Sequence, residues 1–202
     1  MKMKIYHCSV ALLLLAACSK SKTTAPTNFK VDEGQSTVEW KGSAPDHFHT
    51  GAFKVAGTFN TNDSGKVTAG SFSIPIASIS NFDVTDPDTQ KQLLDHLKSP
   101  DFFNLAIHPD AVFRITKVEN QQETMSSANA KVTGDFTMIG QTHPISFPAT
   151  ILKQGDQISV EGNFKLNRLQ WGMNSFSDPK APLYILPEVD ITLKIHGKPS
   201  DK

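Results

Sequence analysis

Histidines are the first residues in this chain that could do chemistry. His47 and His49 stand two apart, so in a strand their side chains point the same way. Joined by His96, His108 or His143, they would supply the nitrogen ligands of a zinc-type site, and a metal-assisted hydrolase could be built on it. No carboxylate or cysteine stands beside them at a recognisable ligand spacing. The plainer reading is polar histidines at the rim of a β-structure, and no metal site is assigned. Asp83, Asp86 and Asp88 crowd together but lack the glycine and distal glutamate of a calcium loop, so they read as helix capping and solvated loop. The nucleophile elbow, H-E-x-x-H, C-x-x-C, the P-loop and the dinucleotide fingerprint are missing, so the sequence points to neither an enzyme nor a cofactor.

One thiol has a definite chemistry. Lys2 and Lys4 precede an apolar run, Val10 to Ala17, which is too short to cross a bilayer and fits a secretory signal over residues 1–17. The run ends Leu15-Ala16-Ala17-Cys18, the pattern of a bacterial lipobox. Cys18 is therefore the expected site of lipidation, and cleavage before it would free an amine for a further acyl chain. Two or more acyl chains hold a protein stably on a membrane. Ser19 lacks the aspartate associated with inner-membrane retention, so the expected location is the outer membrane, facing the periplasm. The only other cysteine, Cys8, lies in the segment removed. The mature domain thus has no disulfide and depends on its core. Lysine plus arginine equal aspartate plus glutamate at 20 each, with no basic cluster, which argues against nucleic acid as a partner.

The elements that carry these residues follow from hydrophobic period. Residues 18–28 are polar and read as a flexible tether, with one domain over 29–198. Within it, apolar and polar residues alternate in eight stretches: around Val38 and Trp40, from Phe53 to Phe59, from Phe72 to Ile76, from Ala111 to Ile115, from Val132 to Met138, from Ile145 to Ile151, from Ile158 to Leu166 and from Val189 to Ile195. A period of two means strands with one apolar and one wet face, which is antiparallel behaviour. The expected fold class is all-β, with a sandwich or barrel of about eight strands. Asp86-Pro87 reads as an N-cap with proline at the first helical position, and Leu93, Leu94 and Leu97 predict a short helix near 87–97. Gln170 to Pro187 is long for a hairpin loop and is expected to cover an opening or carry a short helix.

Thirteen phenylalanines against two tyrosines concentrate on the apolar strand faces, and Gly57, Gly134 and Gly162 share those faces. Glycine on an inward face marks a bend or the close approach of another group, here read as room for a slender ligand. An eight-stranded barrel is just wide enough to hold one.

Three segments resemble the YceI-like family. They are His96-Leu97-Lys98-Ser99-Pro100-Asp101-Phe102-Phe103-Asn104, then Gly134 to Gly140 continuing through His143-Pro144-Ile145, and Phe164 to Arg168 with Gly172 after it. Trp40 and the stretch from His49 to Gly57 fit the family's first hairpin, so the resemblance runs from about Phe29 to Lys198. It implies an eight-stranded, lipocalin-like barrel whose apolar channel holds a polyisoprenoid or isoprenoid quinone-like lipid, in proteins that are usually periplasmic or secreted. This chain departs by its lipobox and by Asn104, where the family commonly has aspartate.

The expected ligand-binding residues are Phe53, Phe59, Phe72, Ile74, Leu94 and Phe113, with Phe136, Met138, Phe147, Phe164 and Trp171. The helix leucines and the Trp171 region would close one end, and Arg168 is expected to hydrogen-bond a loop carbonyl or a carboxylate. The expected function is binding, storage or transport of a long apolar lipid in the cell envelope, with the membrane as second partner through the anchor. A homodimer is compatible with it. The alternatives are the hydrolase above and a packed barrel serving as a non-catalytic envelope scaffold.

Overall fold

All but one of the alternating stretches form a single strand, because the pleat sends apolar side chains to one face and polar ones to water. Strand 157–167 is typical, with Ile158, Gly162 and Leu166 buried while Glu161, Asn163 and Lys165 are exposed. The computed structural model describes residues 27–120 and 128–200. The signal segment 1–17, Cys18 and nearly all of the 18–28 tether lie outside the described residues; Asn28 already opens the first strand.

In chain order the strands are β1 (Asn28–Val31), β2 (Thr37–Ser43), β3 (Phe48–Phe53), β4 (Ala56–Thr61), β5 (Val67–Pro75), β6 (Ser80–Asn81), β7 (Asp110–Asn120), β8 (Ala130–Met138), β9 (Gln141–Gln154), β10 (Gln157–Asn167) and β11 (Glu188–Pro199). All pair antiparallel, and β1 closes the ring by pairing with both β4 and β11. β1 and β2 lie end to end along β11, β3 and β4 share the next position, and β5 and β6 the one after. The result is a closed antiparallel barrel of eight strand positions: the alternation leaves a sandwich or a barrel open, and the double pairing of β1 makes it a barrel.

The stretch from Phe53 to Phe59 reads as a single strand in the sequence, but the structure divides it. Ala52, Phe53 and Val55 are all buried, and the Lys54 amide leaves the ladder to donate to Ser78 Oγ at 3.0 Å. The chain bends there, so β3 pairs with β2 and β6 while β4 pairs with β1 and β5.

Helix α1 (Pro87–Lys98) is capped by Asp86, whose carboxylate accepts from the Thr89 amide at 2.9 Å. None of its residues is fully buried, and it runs one residue past the predicted Leu97. The helix, the β2–β3 turn and the 168–187 loop lie at one end of the barrel. The β4–β5 and β9–β10 turns lie at the other, together with both ends of the described chain, where the Ser200 amide donates to the Asn28 carbonyl at 2.8 Å.

Phe29, Val55, Phe59, Ile158 and Trp171 are the largest fully buried side chains. Each contributes about 1.5–3 kcal/mol by leaving water.

Candidate functional site

Inward side chains do not fill the barrel. A chamber of about 300 Å³ opens beneath α1 and the 168–187 loop. Its wall is apolar: Val38 and Trp40 of β2, Phe53 of β3, Ile74 of β5, Ala111 of β7, Phe136 and Met138 of β8, Leu166 of β10 and Ile191 of β11. Leu93 and Leu97 reach it from α1, and Phe102 and Phe103 from the loop that follows. The volume is about twice the ~150 Å³ that admits benzene to an engineered apolar cavity.

A second apolar cavity of about 110 Å³ lies deeper. It shares Val38, Ile74, Phe136, Leu166 and Ile191 with the chamber, so the two are successive sections of one channel.

A belt of phenylalanine rings runs around the barrel, and its members other than Phe29 line the deeper section beside valine, isoleucine and leucine side chains. Phe29 stacks on Phe59 at 5.3 Å, Phe59 on Phe72 at 6.2 Å, and Phe72 on Phe113 at 6.4 Å. Phe113 then meets Phe147 at 5.7 Å, and Phe147 stacks on Phe164 at 4.6 Å. The belt passes over β8 at Gly134, where a Cβ would sit 2.4 Å from the Phe113 ring and 2.4 Å from the Arg114 carbonyl oxygen. At Gly57 a Cβ would meet the Ser71 carbonyl oxygen at 2.3 Å, and at Gly162 the Pro148 carbonyl oxygen at 3.1 Å. This corrects the sequence reading of these glycines. They take up the close approach of neighbouring strands and wall rings, and the space for a ligand is elsewhere, under α1.

Polar groups gather at the mouth. His47, His49 and His96 all line the chamber, and each meets an aspartate: His47 Nδ1 with Asp46 at 2.7 Å, His49 Nδ1 with Asp83 at 2.7 Å, and His96 Nε2 with Asp101 at 3.1 Å. His143 packs edge-on against Trp171 instead, and His108 lies against Gly140. Among the described residues no three histidine, cysteine, aspartate or glutamate side chains are grouped to hold a metal ion.

Asp83 holds the corner between β3 and β6. Its Oδ1 accepts from the Thr50 amide at 2.6 Å and from Asn81 Nδ2 at 2.9 Å, while Oδ2 faces His49. Burial pushes this carboxyl up, but the hydrogen bonds from Thr50, His49 and Asn81 outweigh it and hold the pKa at about 2. A carboxyl whose folded pKa lies below its unfolded one stabilises the fold above the unfolded value, and loses that stabilisation as pH falls towards the folded value. Between pH 4 and pH 2, unfolding free energy should therefore fall by about 2 kcal/mol more in the unmodified protein than in Asp83→Asn. Parallel acid limbs in urea titrations of the two proteins would show that Asp83 does not carry this term.

The loop over the chamber is wrapped around one buried cation. Arg168 is 2 % exposed and sits in a 3-10 turn, Arg168–Trp171. Its Nε donates to the Leu186 carbonyl at 3.3 Å and its Nη2 to Ile185 at 2.9 Å, while Nη1 donates to Ser175 at 3.0 Å and to Met173. The loop-carbonyl role expected for this arginine is thus observed, fourfold. Burial lowers the pKa of the guanidinium, partly offset by Tyr184. Within the loop, Phe176 adopts a left-handed φ of 57°, stacks on Phe102 at 6.0 Å and meets His96 edge-on at 5.5 Å.

Of the residues expected to touch ligand, Phe53, Ile74, Phe136 and Met138 line the outer chamber. Phe59, Phe72, Phe113, Phe147 and Phe164 line the deeper section, which Ile74 and Phe136 also reach. Leu94 and Trp171 line neither. Leu94 packs against the core, and Trp171, fully buried, lies behind the wall with its Nε1 donating to the Phe136 carbonyl at 3.0 Å.

Sequence reasoning did not place Phe102, Phe103, Met173 or Phe176 at the site, yet all four line it. The signals were a phenylalanine pair between prolines, inside the segment from His96 to Asn104 that resembles the family, and the long 170–187 stretch expected to cover an opening. Asn104, where the resembling family commonly has aspartate, adopts a left-handed φ of 48°, and its carbonyl accepts from Ile107 and His108. Asn and Asp are the side chains that best tolerate that conformation, so a backbone turn suffices to explain the position.

Comparison with known proteins places this geometry among relatives. The model of the YceI-like domain matches residues 29–197. A UPF0312 protein of Pseudomonas putida is 32% identical over 153 residues, covering 72% of each chain, and protein YceI of Escherichia coli O157:H7 is 30% identical over 122 residues, covering 56% of this chain and 58% of that one. Among solved structures, Burkholderia cenocepacia BcnA superposes with a TM-score of 0.65 at 22% identity, covering 82% of this chain and 98% of its own. A polyisoprenoid binding domain from Saccharophagus degradans, implicated in plant cell wall breakdown, superposes with a TM-score of 0.63 at 11% identity, covering 85% of this chain and 98% of its own.

Proposed function

We propose, on the premise that this chain belongs to the YceI-like family, that its barrel binds the tail of a polyisoprenoid-type lipid and stores or carries it in the bacterial cell envelope. One observation carries the proposal: an apolar channel of two joined sections, about 300 and 110 Å³, whose deeper section is lined by no polar or charged side chain. A tail in such a channel leaves water along its length, while the three histidine–aspartate pairs stay beside the end that would carry a polar group. The Saccharophagus relative, described as polyisoprenoid binding, supports the ligand class. No catalytic step is assigned to the histidines, since their aspartate partners account for their positions.

The location rests on the sequence. Lys2, Lys4, the apolar run to Ala17 and Leu15-Ala16-Ala17-Cys18 support export and acylation at Cys18, with anchoring in the outer membrane facing the periplasm. Both parts meet one test: mass spectrometry on protein purified natively from its own membranes. Organic extracts should yield about one isoprenoid lipid per protein, and the intact chain should begin at an acylated Cys18. Extracts without such a lipid would sink the ligand proposal. A free Cys18 thiol would sink the anchor and leave the ligand proposal standing.

A further inference from the structure

Large apolar side chains left in water on this protein are unevenly placed. Among the described residues they are Phe48, Phe82, Ile107, Leu152, Leu183 and Leu186. Five of the six are at or near the end of the barrel that carries the chamber mouth, and only Leu152 belongs to the other.

Three of them flank the opening. Leu183 lines the chamber and is 49 % exposed. Phe48 starts β3 opposite Ser43, itself a chamber residue whose carbonyl accepts from the Leu186 amide. Phe82 follows β6, and its amide donates to the Thr50 carbonyl beside the His49–Asp83 pair. Exposed apolar side chains grouped around a cavity mark a surface that meets a membrane or another protein, and a cavity read as holding a lipid tail favours the membrane.

We infer that the mouth end docks on a lipid bilayer, with Phe48, Phe82 and Leu183 entering the interfacial region so that the tail passes between membrane and chamber without crossing water. The inference rests on the lipid-binding reading of the chamber. Leu97, Phe176 and Leu183 carry the apolar lining up to the mouth beside the three histidines, so a tail that fits it gains nothing by leaving into water.

Charge selects the kind of bilayer. The mouth-end segments 44–47, 76–109 and 168–187 carry seven aspartates against three lysines and the buried Arg168. Attraction to anionic lipid needs clustered lysine and arginine, so the surface that fits is zwitterionic.

Depth-dependent quenching tests this on the protein as cells make it. Tryptophan is placed at the mouth by Leu183→Trp, or in the opposite β9–β10 turn by Asp156→Trp, and each protein is mixed with vesicles of brominated phosphatidylcholine, with the signal of the native Trp40 and Trp171 subtracted by running the unmodified protein alongside. The mouth tryptophan should be quenched and the turn tryptophan should not, with weaker quenching on vesicles rich in phosphatidylglycerol. Equal quenching at both positions, quenching at the turn alone, or none at either would overturn the docking. Stronger quenching on the anionic vesicles would overturn the zwitterionic assignment.

A second measurement uses Phe48→Ser with Phe82→Ser, neither of which lines the chamber. Transfer of a fluorescent polyprenol between vesicles should slow at least tenfold, while the lipid recovered per purified protein stays the same. An unchanged transfer rate overturns the inference. Loss of recovered lipid from the unmodified protein instead marks a failure of the lipid-binding reading itself.

Discussion

Arg168→Ala is expected to lower the unfolding free energy by about 3–5 kcal/mol, because it removes the one group that holds four loop carbonyls. The guanidinium is 2 % exposed and donates to carbonyls of Met173, Ser175, Ile185 and Leu186, two residues on each limb of the loop it closes. Alanine leaves those acceptors without a donor, and each buried, unpaired group costs about 1–3 kcal/mol before water enters. For a domain of this size the change corresponds to roughly 8–15 °C in melting temperature. Arg168→Lys should recover little, because one ammonium cannot reach acceptors spread over two limbs. The loss should also be local as well as global. Lys180 is exposed within the loop, so tryptic cleavage after it should appear in Arg168→Ala well below the melting temperature. Unchanged melting, with Lys180 as resistant as before, would show that the loop is held by other contacts.

Ala111→Trp should reduce lipid affinity by two to three orders of magnitude. Ala111 is 3 % exposed, pairs with Ile74, and lies in the chamber wall, so an indole there occupies space that a tail would use. Burying a methylene contributes about 0.8 kcal/mol, so excluding one five-carbon isoprene unit costs about 4 kcal/mol. At 1.4 kcal/mol per tenfold, that is a factor near ~10³. The ring enters existing space, so stability should change little compared with the ~1–3 kcal/mol of overpacking a filled core. Ala111→Leu takes less of the space and should give an intermediate loss. The measurement is retention of a labelled polyprenol by delipidated protein. Full retention by both variants would mean that the tail lies elsewhere.

The eight strand positions were legible in the sequence because each is written locally, as apolar residues at a period of two. The helix was legible for the same kind of reason: Asp86-Pro87 and the leucine spacing are contained within a dozen residues. The division of β3 from β4 was hidden, because Phe53, Val55 and Phe59 keep the alternation across the bend while their hydrogen-bond partners change. The inward glycines were misread for a related reason. The pattern around Gly134 gives its face, but the ring that covers it comes from Phe113 on the neighbouring strand. Phe102, Phe103 and Phe176 were missed because loop residues carry no period, and only the folded chain brings them together over the mouth. Cys18 and the residues before it remain a matter of sequence, since they lie outside the described residues.

Both ends of the described chain leave the barrel beside one another, at the pole opposite the mouth, where Ser200 meets Asn28 across neighbouring strands. The arrangement makes the molecule a cup held by its foot. Anything fastened through either terminus, whether an acyl anchor or an appended module, bears on β1 and β11 at the base and leaves the brim clear. Loading at the brim and attachment at the base are then mechanically independent, with neither end of the described chain near the opening. The same closeness of the ends means that a short bridge from 200 to 27 would close the chain into a covalent ring with no strand displaced. The β9–β10 turn, at the foot and away from the lid, is a natural place to reopen it.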